Sequence, residues 1–441
     1  MKRNLWLLGL SLLSLAASAK IVPVSPAGGV EVSIVPEEQK KLMTLPTYKE
    51  RLDLLVWDRA NGKKIRHSGV WQKARPLVLE WQATEGEKGP WKIMIGKKPD
   101  LSEARVWFKS VKKTDKATGR ETGTDGSQAC EKFEVPYANL EINTTYYWAV
   151  STRGLCGWGC HPRHGCEASK KTSQSATASF RTEDFAPRWM AIEGSVGNMR
   201  DLGGRRTVAG LRVRQGMIYR GQGLNNNSTT GEVRGRNRLT MADAEYMTKT
   251  LGIRTDLDQR GAGEVADMTE SPLGPSVKWI HNSSQCYAGI FTDEGKKAMA
   301  RNFRVFCDPA NYPIYFHCIG GADRAGSLAY TLNGILGVER HLLNTDWEST
   351  FYPTLPEMRS EYKDHTFWCG EWHFDDGFAK YGDAKSTWNE RIELYLLDCG
   401  VTKEEIEKFR SIMLEGYVSA PAAEPGVLGK TGGFFGWLWP F

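Results

Sequence analysis

Between Pro76 and Thr182 apolar and polar residues alternate in short runs: Leu77-Val78-Leu79-Glu80-Trp81, Trp91-Lys92-Ile93-Met94-Ile95, Val106-Trp107-Phe108 and Tyr146-Tyr147-Trp148-Ala149-Val150. A period of two puts alternate side chains on one face of a strand, and the Gly, Pro and Asp turns between the runs predict an antiparallel, all-β sandwich over residues 76–182. The pattern stops around Glu183-Asp184-Phe185-Ala186-Pro187. Beyond it, strands and helices alternate. Thr240 with Asp243 three residues on opens a helix that runs to Gly252, and Ile253 to Asp258 reads as a strand. Ile314 to Phe316 reads as a buried strand and Leu328 to Leu336 as the helix packed on it. Thr402 with Glu405 caps a last helix that carries Ile406, Phe409 and Met413 at helical spacing. This predicts an α/β domain over 188–418, a central sheet flanked by helices. Residues 20–75, with a helix-like run from Glu37 to Leu55, form a lead-in, and 419–441 form a Gly- and aromatic-rich tail.

The N-terminus has a different pattern: Lys2-Arg3, an apolar stretch from Leu5 to Ala16, then Ala17-Ser18-Ala19. A charged start, a short apolar core and small residues before the cut describe a secretory signal peptide over 1–19, cleaved after Ala19. A membrane span needs about 20 apolar residues, so none is expected, and an exported, periplasmic or secreted protein is. The 441 residues, 40% of them hydrophobic, exclude wholesale disorder and suit two folded units. A formal charge of +6 is too weak to indicate a nucleic-acid partner.

Export changes how the nine cysteines are read. Cys156, Cys160 and Cys166, with His161 and His164, have the chemistry of zinc ligands. Outside the cytosol, disulfides in that loop with Cys130 as fourth partner are the preferred reading, and no metal is expected. An odd count leaves at least one thiol unpaired. Pairing among Cys286, Cys307, Cys369 and Cys399 would leave Cys318 free.

The residues that carry chemistry are His317-Cys318-Ile319-Gly320-Gly321-Ala322-Asp323-Arg324-Ala325-Gly326-Ser327. Cys318 and Arg324 bracket a glycine-containing loop between a predicted strand and a predicted helix. Such a loop turns its N–H groups inward as a nest for a tetrahedral anion at the helix N-terminus, and an arginine adds a two-pronged clamp. The field that attracts a phosphate also favours a thiolate, so one loop supplies both the pocket and the nucleophile.

The segment resembles the signature of cysteine-dependent phosphatases, and more narrowly the bacterial tyrosine phosphatases whose loop reads HCxxGKDRTG. Asn198 to Gly204 resembles that group's NxRDLGG, Val213 to Arg220 its VRxGxxYR, and Leu251 to Glu264 its LGIRTxxDLRxxxE. The resemblance implies an α/β cysteine-phosphatase domain in which Cys318 attacks phosphorus, Arg324 binds phosphate oxygens and Asp323 protonates the leaving group. Asp293 and Asp201 are rival acids. Substrate would sit on Ile319, Gly320, Gly321, Ala322, Ala325 and Gly326, supported by His317, Arg200, Asp201 and Ser327, with no cofactor. The stretch Leu140 to Tyr146, followed by Trp148 and Val150, resembles the fibronectin type III corner.

These features lead to an exported phosphomonoesterase acting on a phosphorylated protein or small phosphate monoester, with the β-sandwich free to bind a protein or glycan. The alternative is a low-turnover module that holds phosphorylated ligands, with the sandwich as the main interaction domain. Trp368, Trp372 and His373, beside Asp375 and Asp376, are candidates for the pocket mouth. Ala322 stands where the family has Lys, which disfavours highly anionic phosphoinositides. Ala325 stands where it has Thr or Ser, removing a hydroxyl that can donate to the thiolate, with Ser327 as a possible substitute. Ala325→Thr is therefore expected to raise turnover of phosphate monoesters in steady-state assays, and an unchanged turnover would count against this reading of Ala325.

Overall fold

The computed structural model describes residues 20–47, 50, 75–84, 87, 89–109, 130–152, 173–192, 196–224, 239–266, 268–349 and 376–418. The expected signal peptide, the Cys156–Cys166 loop, the pocket-mouth candidates Trp368, Trp372, His373 and Asp375, and the tail lie outside these residues.

The alternating runs of the N-terminal half form two sheets over one apolar core. One has the order β1 (Ile21–Ser25), β3 (Leu77–Ala83), β6 (Cys130–Val135). The other has the order β2 (Val30–Val32), β8 (Ala178–Thr182), β7 (Thr145–Thr152), β4 (Trp91–Gly96), β5 (Arg105–Lys109). Period two is visible in β3, where Leu77, Leu79 and Trp81 are buried and Val78 faces out. These side chains meet Trp91, Ile93, Trp148 and Phe180 from the second sheet in one cluster. Trp81 meets Trp91 edge-on at 5.7 Å between ring centroids. At the corner before β7, the Glu141 N–H donates to the Tyr146 phenol oxygen at 2.9 Å. The lead-in is partly built into these sheets, because β1 pairs with β3 and β2 pairs with β8. The helix expected from Glu37 to Leu55 is short, α1 (Glu37–Thr44), and residues 51–74 are outside the described set.

The second half is built on a six-stranded sheet of order β13 (Lys278–His281), β12 (Thr255–Asp258), β14 (Ile314–His317), β11 (Ile218–Gly221), β10 (Arg200–Asp201), β9 (Arg188–Trp189). The first four run parallel, and β10 and β9 are antiparallel to their neighbours. All four residues of β11, β12 and β14 are buried, as expected of strands covered on both faces. Ile218, Ile314 and Phe316 join the larger cluster on one face, and Tyr219 and Tyr315 join the smaller cluster on the other.

The helices are α2 (Met241–Glu245, extended by a wider turn to Thr250), α3 (Asp293–Phe306), α4 (Arg324–Ile335), α5 (Arg340–Ser349), α6 (Trp388–Asp398) and α7 (Lys403–Met413). Thr240 and Thr402 close the capping boxes expected of them, and Ile406, Phe409 and Met413 are buried. Helix α4 starts four residues before the expected Leu328, so Arg324 is its first residue and the loop after β14 runs straight into its N-terminus.

The two halves are joined by side chains that satisfy each other's backbone. Gln215 accepts from the Ile142 N–H at 2.8 Å and donates to the Ile142 carbonyl at 3.0 Å. Asn139 does the same for Ala191, accepting at 2.7 Å and donating at 2.6 Å. Gly204, at φ +90, leaves room for Ile142; a Cβ there would lie 2.6 Å from Ile142 Cδ1. Gln215→Ala strands two backbone groups at this seam, and each unpaired group costs about 1–3 kcal/mol when kept from water. Urea denaturation should show a loss at the low end of that range, and an unchanged midpoint would mean that the seam is wet.

Candidate active site

The loop between β14 and α4 is shaped by what holds its carbonyls. The Ile319 carbonyl accepts from the Gly223 N–H at 3.0 Å. Asn198 Nδ2 donates to the Gly320 and Gly321 carbonyls at 3.1 Å each, and Arg220 Nη2 donates to the Gly321 carbonyl at 2.7 Å. In a planar trans peptide the N–H points opposite to the C=O. Tying three successive carbonyls from beneath therefore turns the N–H groups of Gly320, Gly321 and Ala322 to the other side, toward the space in front of α4. Gly321 is at φ +65, and a Cβ on it would run into the Gly221 carbonyl, so only glycine fits there. Three amides on one side of the loop, next to the first turn of a 12-residue helix, form a concavity suited to an anion.

Cys318 begins this loop as a free thiol, 1% exposed. Arg324 lies across from it, held by Glu264: Nη1 to Oε2 is 2.6 Å and Nη2 to Oε1 is 3.2 Å. Burial opposes the charge on Arg324, but the Glu264 hydrogen bonds and the nearby Cys318 sulfur hold its pKa above the usual arginine value. Glu264 thus fixes the fork that the sequence assigned to phosphate. Asp323 is the N-cap of α4 but makes no capping bond; its Oδ1 accepts from the Tyr287 hydroxyl.

Behind the nucleophile, His317 is wholly buried between two carboxylates. Its Nε2 lies 3.0 Å from Asp256 Oδ1 and its Nδ1 lies 3.8 Å from Asp258 Oδ1. Nδ1–H also donates to the Cys318 carbonyl at 3.1 Å, so the ring braces the backbone of Cys318. Asp258 is in turn clamped by Arg260 through both oxygens. Despite burial, the His317 and Arg260 charges bring its carboxyl down to about 2.

The other predicted residues have supporting places. Arg200 and Asp201 are both fully buried but pair apart. Arg200 Nε donates to Asp346 at 2.8 Å, whereas Asp201 takes Arg188 at 2.8 Å and the N–H groups of Gly203 and Gly216. Asp201 therefore holds a turn and is not at the loop. Asp293 is exposed in the first turn of α3, where a carboxylate complements the helix end. Ser327 donates to the Asp323 carbonyl at 3.0 Å and accepts from the Tyr287 N–H, so it is committed to those partners and does not replace the hydroxyl that Ala325 lacks. Ala322 and Ala325 are buried in the core cluster, and Gly326 packs under the Trp347 ring. Ile319 and Gly320 are half-buried. The cysteine pairing needs correction among the described residues: Cys130, Cys286, Cys307 and Cys399 are free thiols, and burial pushes each of the last three up to about 12. Cys307 is buried, Cys286 and Cys399 are half-buried, and Cys130 is exposed.

Sequence reading did not single out Asp346, Tyr287 or the partnership of Glu264 with Arg324. Asp346 accepts from Arg200, Arg205 and Arg220 at 2.8, 2.6 and 2.9 Å. It is buried, yet the three guanidinium groups hold its carboxyl well below the usual range. Burial first, and then Arg200, bring Arg220 down to about 9. Glu264 and the three arginines belong to motifs or their flanks; nothing in the sequence marks Asp346 or Tyr287.

The profile of the tyrosine phosphatase family matches residues 191–415. No curated protein matches the chain. Among solved structures, the chain resembles the core catalytic domain of the PP-IP phosphatase Siw14 from S. cerevisiae in complex with citrate. That match has 13% identity, covers 37% of this chain and 84% of that one, and has a TM-score of 0.22. A second structure of the Siw14 catalytic core matches at 12% identity, over 37% of this chain and 86% of that one, also with a TM-score of 0.22.

His317 makes a pH-dependent contribution to stability that can be measured. Burial alone would push the imidazole down, but Asp258 and Asp256 overcome it and hold the pKa above the usual 6.5. The folded state therefore keeps a proton that the unfolded chain releases. The stabilisation is fully present below about pH 6.5 and is lost as pH rises through the higher folded value. Denaturation midpoints measured from pH 6 to 9 should fall more steeply in the native protein than in His317→Gln; parallel curves would show that the ring is neutral when folded.

Proposed function

The chain belongs to the tyrosine phosphatase family, and on that premise we propose that it is an exported phosphomonoesterase working through a cysteinyl-phosphate intermediate on Cys318. The observation that carries the reading is the loop whose carbonyls are tied down by Gly223, Asn198 and Arg220 while its first residue is an unbridged thiol. A loop that only bound anions has no use for a thiolate.

In the first step a lone pair on Cys318 Sγ forms the S–P bond. The P–O bond to the leaving group breaks, its electron pair goes to that oxygen, and Asp323 supplies the proton. The equatorial oxygens lie against the N–H groups of Gly320, Gly321 and Ala322 and the fork of Arg324, where charge builds up in the transition state. In the second step a water oxygen attacks phosphorus, Asp323 takes its proton, and the S–P electron pair returns to sulfur. Glu264 keeps Arg324 from swinging away between steps.

The substrate class is read from the described residues in and beside the loop. Ala322 is apolar, and Asn282 to Tyr287, which leads to Asp323, contains no basic residue. A single phosphate on an aromatic group, as in phosphotyrosine, fits such a wall better than a ligand with many phosphates. The N-terminal sheets, a fibronectin type III-like module in this reading, serve to place the enzyme on a protein or glycan, and residues 1–19 direct its export.

The test is a rapid-mix assay with p-nitrophenyl phosphate and phosphotyrosine peptides. A burst of nitrophenol, insensitive to chelator, is expected, and Cys318→Ser should lower turnover by about three orders of magnitude or more. Activity that survives in Cys318→Ser, or that a chelator abolishes, would overturn the proposal.

A further inference from the structure

We propose that Tyr287 is a positioning residue for Asp323, its hydroxyl orienting the carboxyl so that the other oxygen meets the leaving group. This inference rests on the reading of Asp323 as the proton donor.

Tyr287 is held at several points besides the Asp323 carboxyl. Its N–H donates to Ser327 Oγ at 3.2 Å, and Ser327 Oγ in turn donates to the Asp323 carbonyl. Its ring meets Trp347 edge-on, with 5.5 Å between centroids, and Trp347 is packed against Gly326 in the first turn of α4. Its backbone is at φ +54, a region a residue with a side chain occupies only where its surroundings over-determine it. The segment leading to it is pinned as well: the Asn282 N–H donates to the Asp258 carbonyl at 2.9 Å and Gln259 Nε2 to Ser284 Oγ at 2.8 Å. The phenol is thus a fixed donor aimed at Asp323 Oδ1.

When such a carboxyl acts as an acid, with its Oδ1 accepting from a fixed donor, the proton it gives is on Oδ2. That proton passes to the leaving oxygen in the first step and is replaced from water in the second, while the Tyr287 proton stays where it is. Burial, and then the Asp323 charge, hold the phenol far above its ordinary range, so it remains a donor throughout. Among the described residues, the charged or titratable groups around Asp323 are Cys286 on the same wall, Cys318 and Arg324 on the loop, and Glu264 paired with Arg324.

Removing the hydroxyl has an effect that a purely structural role would not produce. Loss of orientation should matter most where the leaving group needs a proton: about tenfold in kcat/KM for phenyl phosphate and about twofold for p-nitrophenyl phosphate. In an Asp323→Asn background Tyr287→Phe should do nothing further. Phenylalanine keeps the ring on Trp347 and the N–H bond to Ser327, so the nitrophenol burst should retain its amplitude. Equal losses on both esters, a further loss in the Asp323→Asn background, or a lost burst would each overturn the role. Cys318→Ser, assayed in parallel, separates the two failures: if it is active the phosphatase mechanism itself is wrong, and if it is dead while Tyr287→Phe behaves as native only the positioning role falls.

Discussion

Arg200 on β10 and Arg220 on β11 are paired directly opposite each other in the sheet, both wholly buried. Like charges at facing positions destabilise a sheet even at a surface, and in the interior the penalty is larger. Asp346, reaching in from α5, makes the arrangement possible by accepting from both and from Arg205 as well. With the repulsion offset, Arg220 has a hydrogen to spare for the Gly321 carbonyl. That bond is one of those that turn the loop's peptides over. The orientation of the anion-binding amides thus depends on a carboxylate that never meets the anion, and stripping Asp346 of its charge would be expected to cost about 3–5 kcal/mol by the general rule for broken buried pairs. The next residue, Trp347, covers Gly326 and meets Tyr287, so two adjacent positions of one helix brace the middle of the loop and the helix turn that follows it.

What was legible in the sequence divides by range. Strands with period two, capping boxes at Thr240 and Thr402, and the Cys318-to-Arg324 spacing are local signals, and each of these strands and caps formed where local chemistry puts it. The contribution of β1 and β2 to the two N-terminal sheets was not legible, because a three- or five-residue strand such as Val30–Val32 has no periodicity of its own and forms by pairing with residues 150 positions away. The same limit applies at the site. Arg200 and Asp201 stand together in sequence and look like one ion pair, yet a strand sends adjacent side chains to opposite faces, so they take different partners. Asp346 and Tyr287 carry no motif because their roles exist only once α5 and the wall before α3 are folded against the loop. Disulfide pairing has no local signal either: in the fold, the described cysteines besides Cys318 pack or lie at the surface as separate thiols.

The alternation that separates Arg200 from Asp201 also divides the work of the sheet. On one face of β10 and β11, Arg200 and Arg220 serve the loop through Asp346. On the other, Asp201 and Tyr219 both meet Arg188, which donates onward to the Asn139 carbonyl in the N-terminal half. Asn139 also donates to the Tyr246 hydroxyl on the turn that extends α2. Two dipeptide steps of adjacent strands therefore carry the support of the anion loop on one side and the seam between the two halves on the other. Because the side-chain period of a strand is two, a one-residue slip in this pairing would exchange the faces and break both at once. The register is held by the same groups it positions: Asp201 accepts from the Gly203 and Gly216 N–H groups at the turn that joins the segments, and Asp346 fixes the opposite side. Attachment of the β-rich half and shaping of the anion loop are consequently properties of one register, which makes the N-terminal sheets part of the architecture that holds the site.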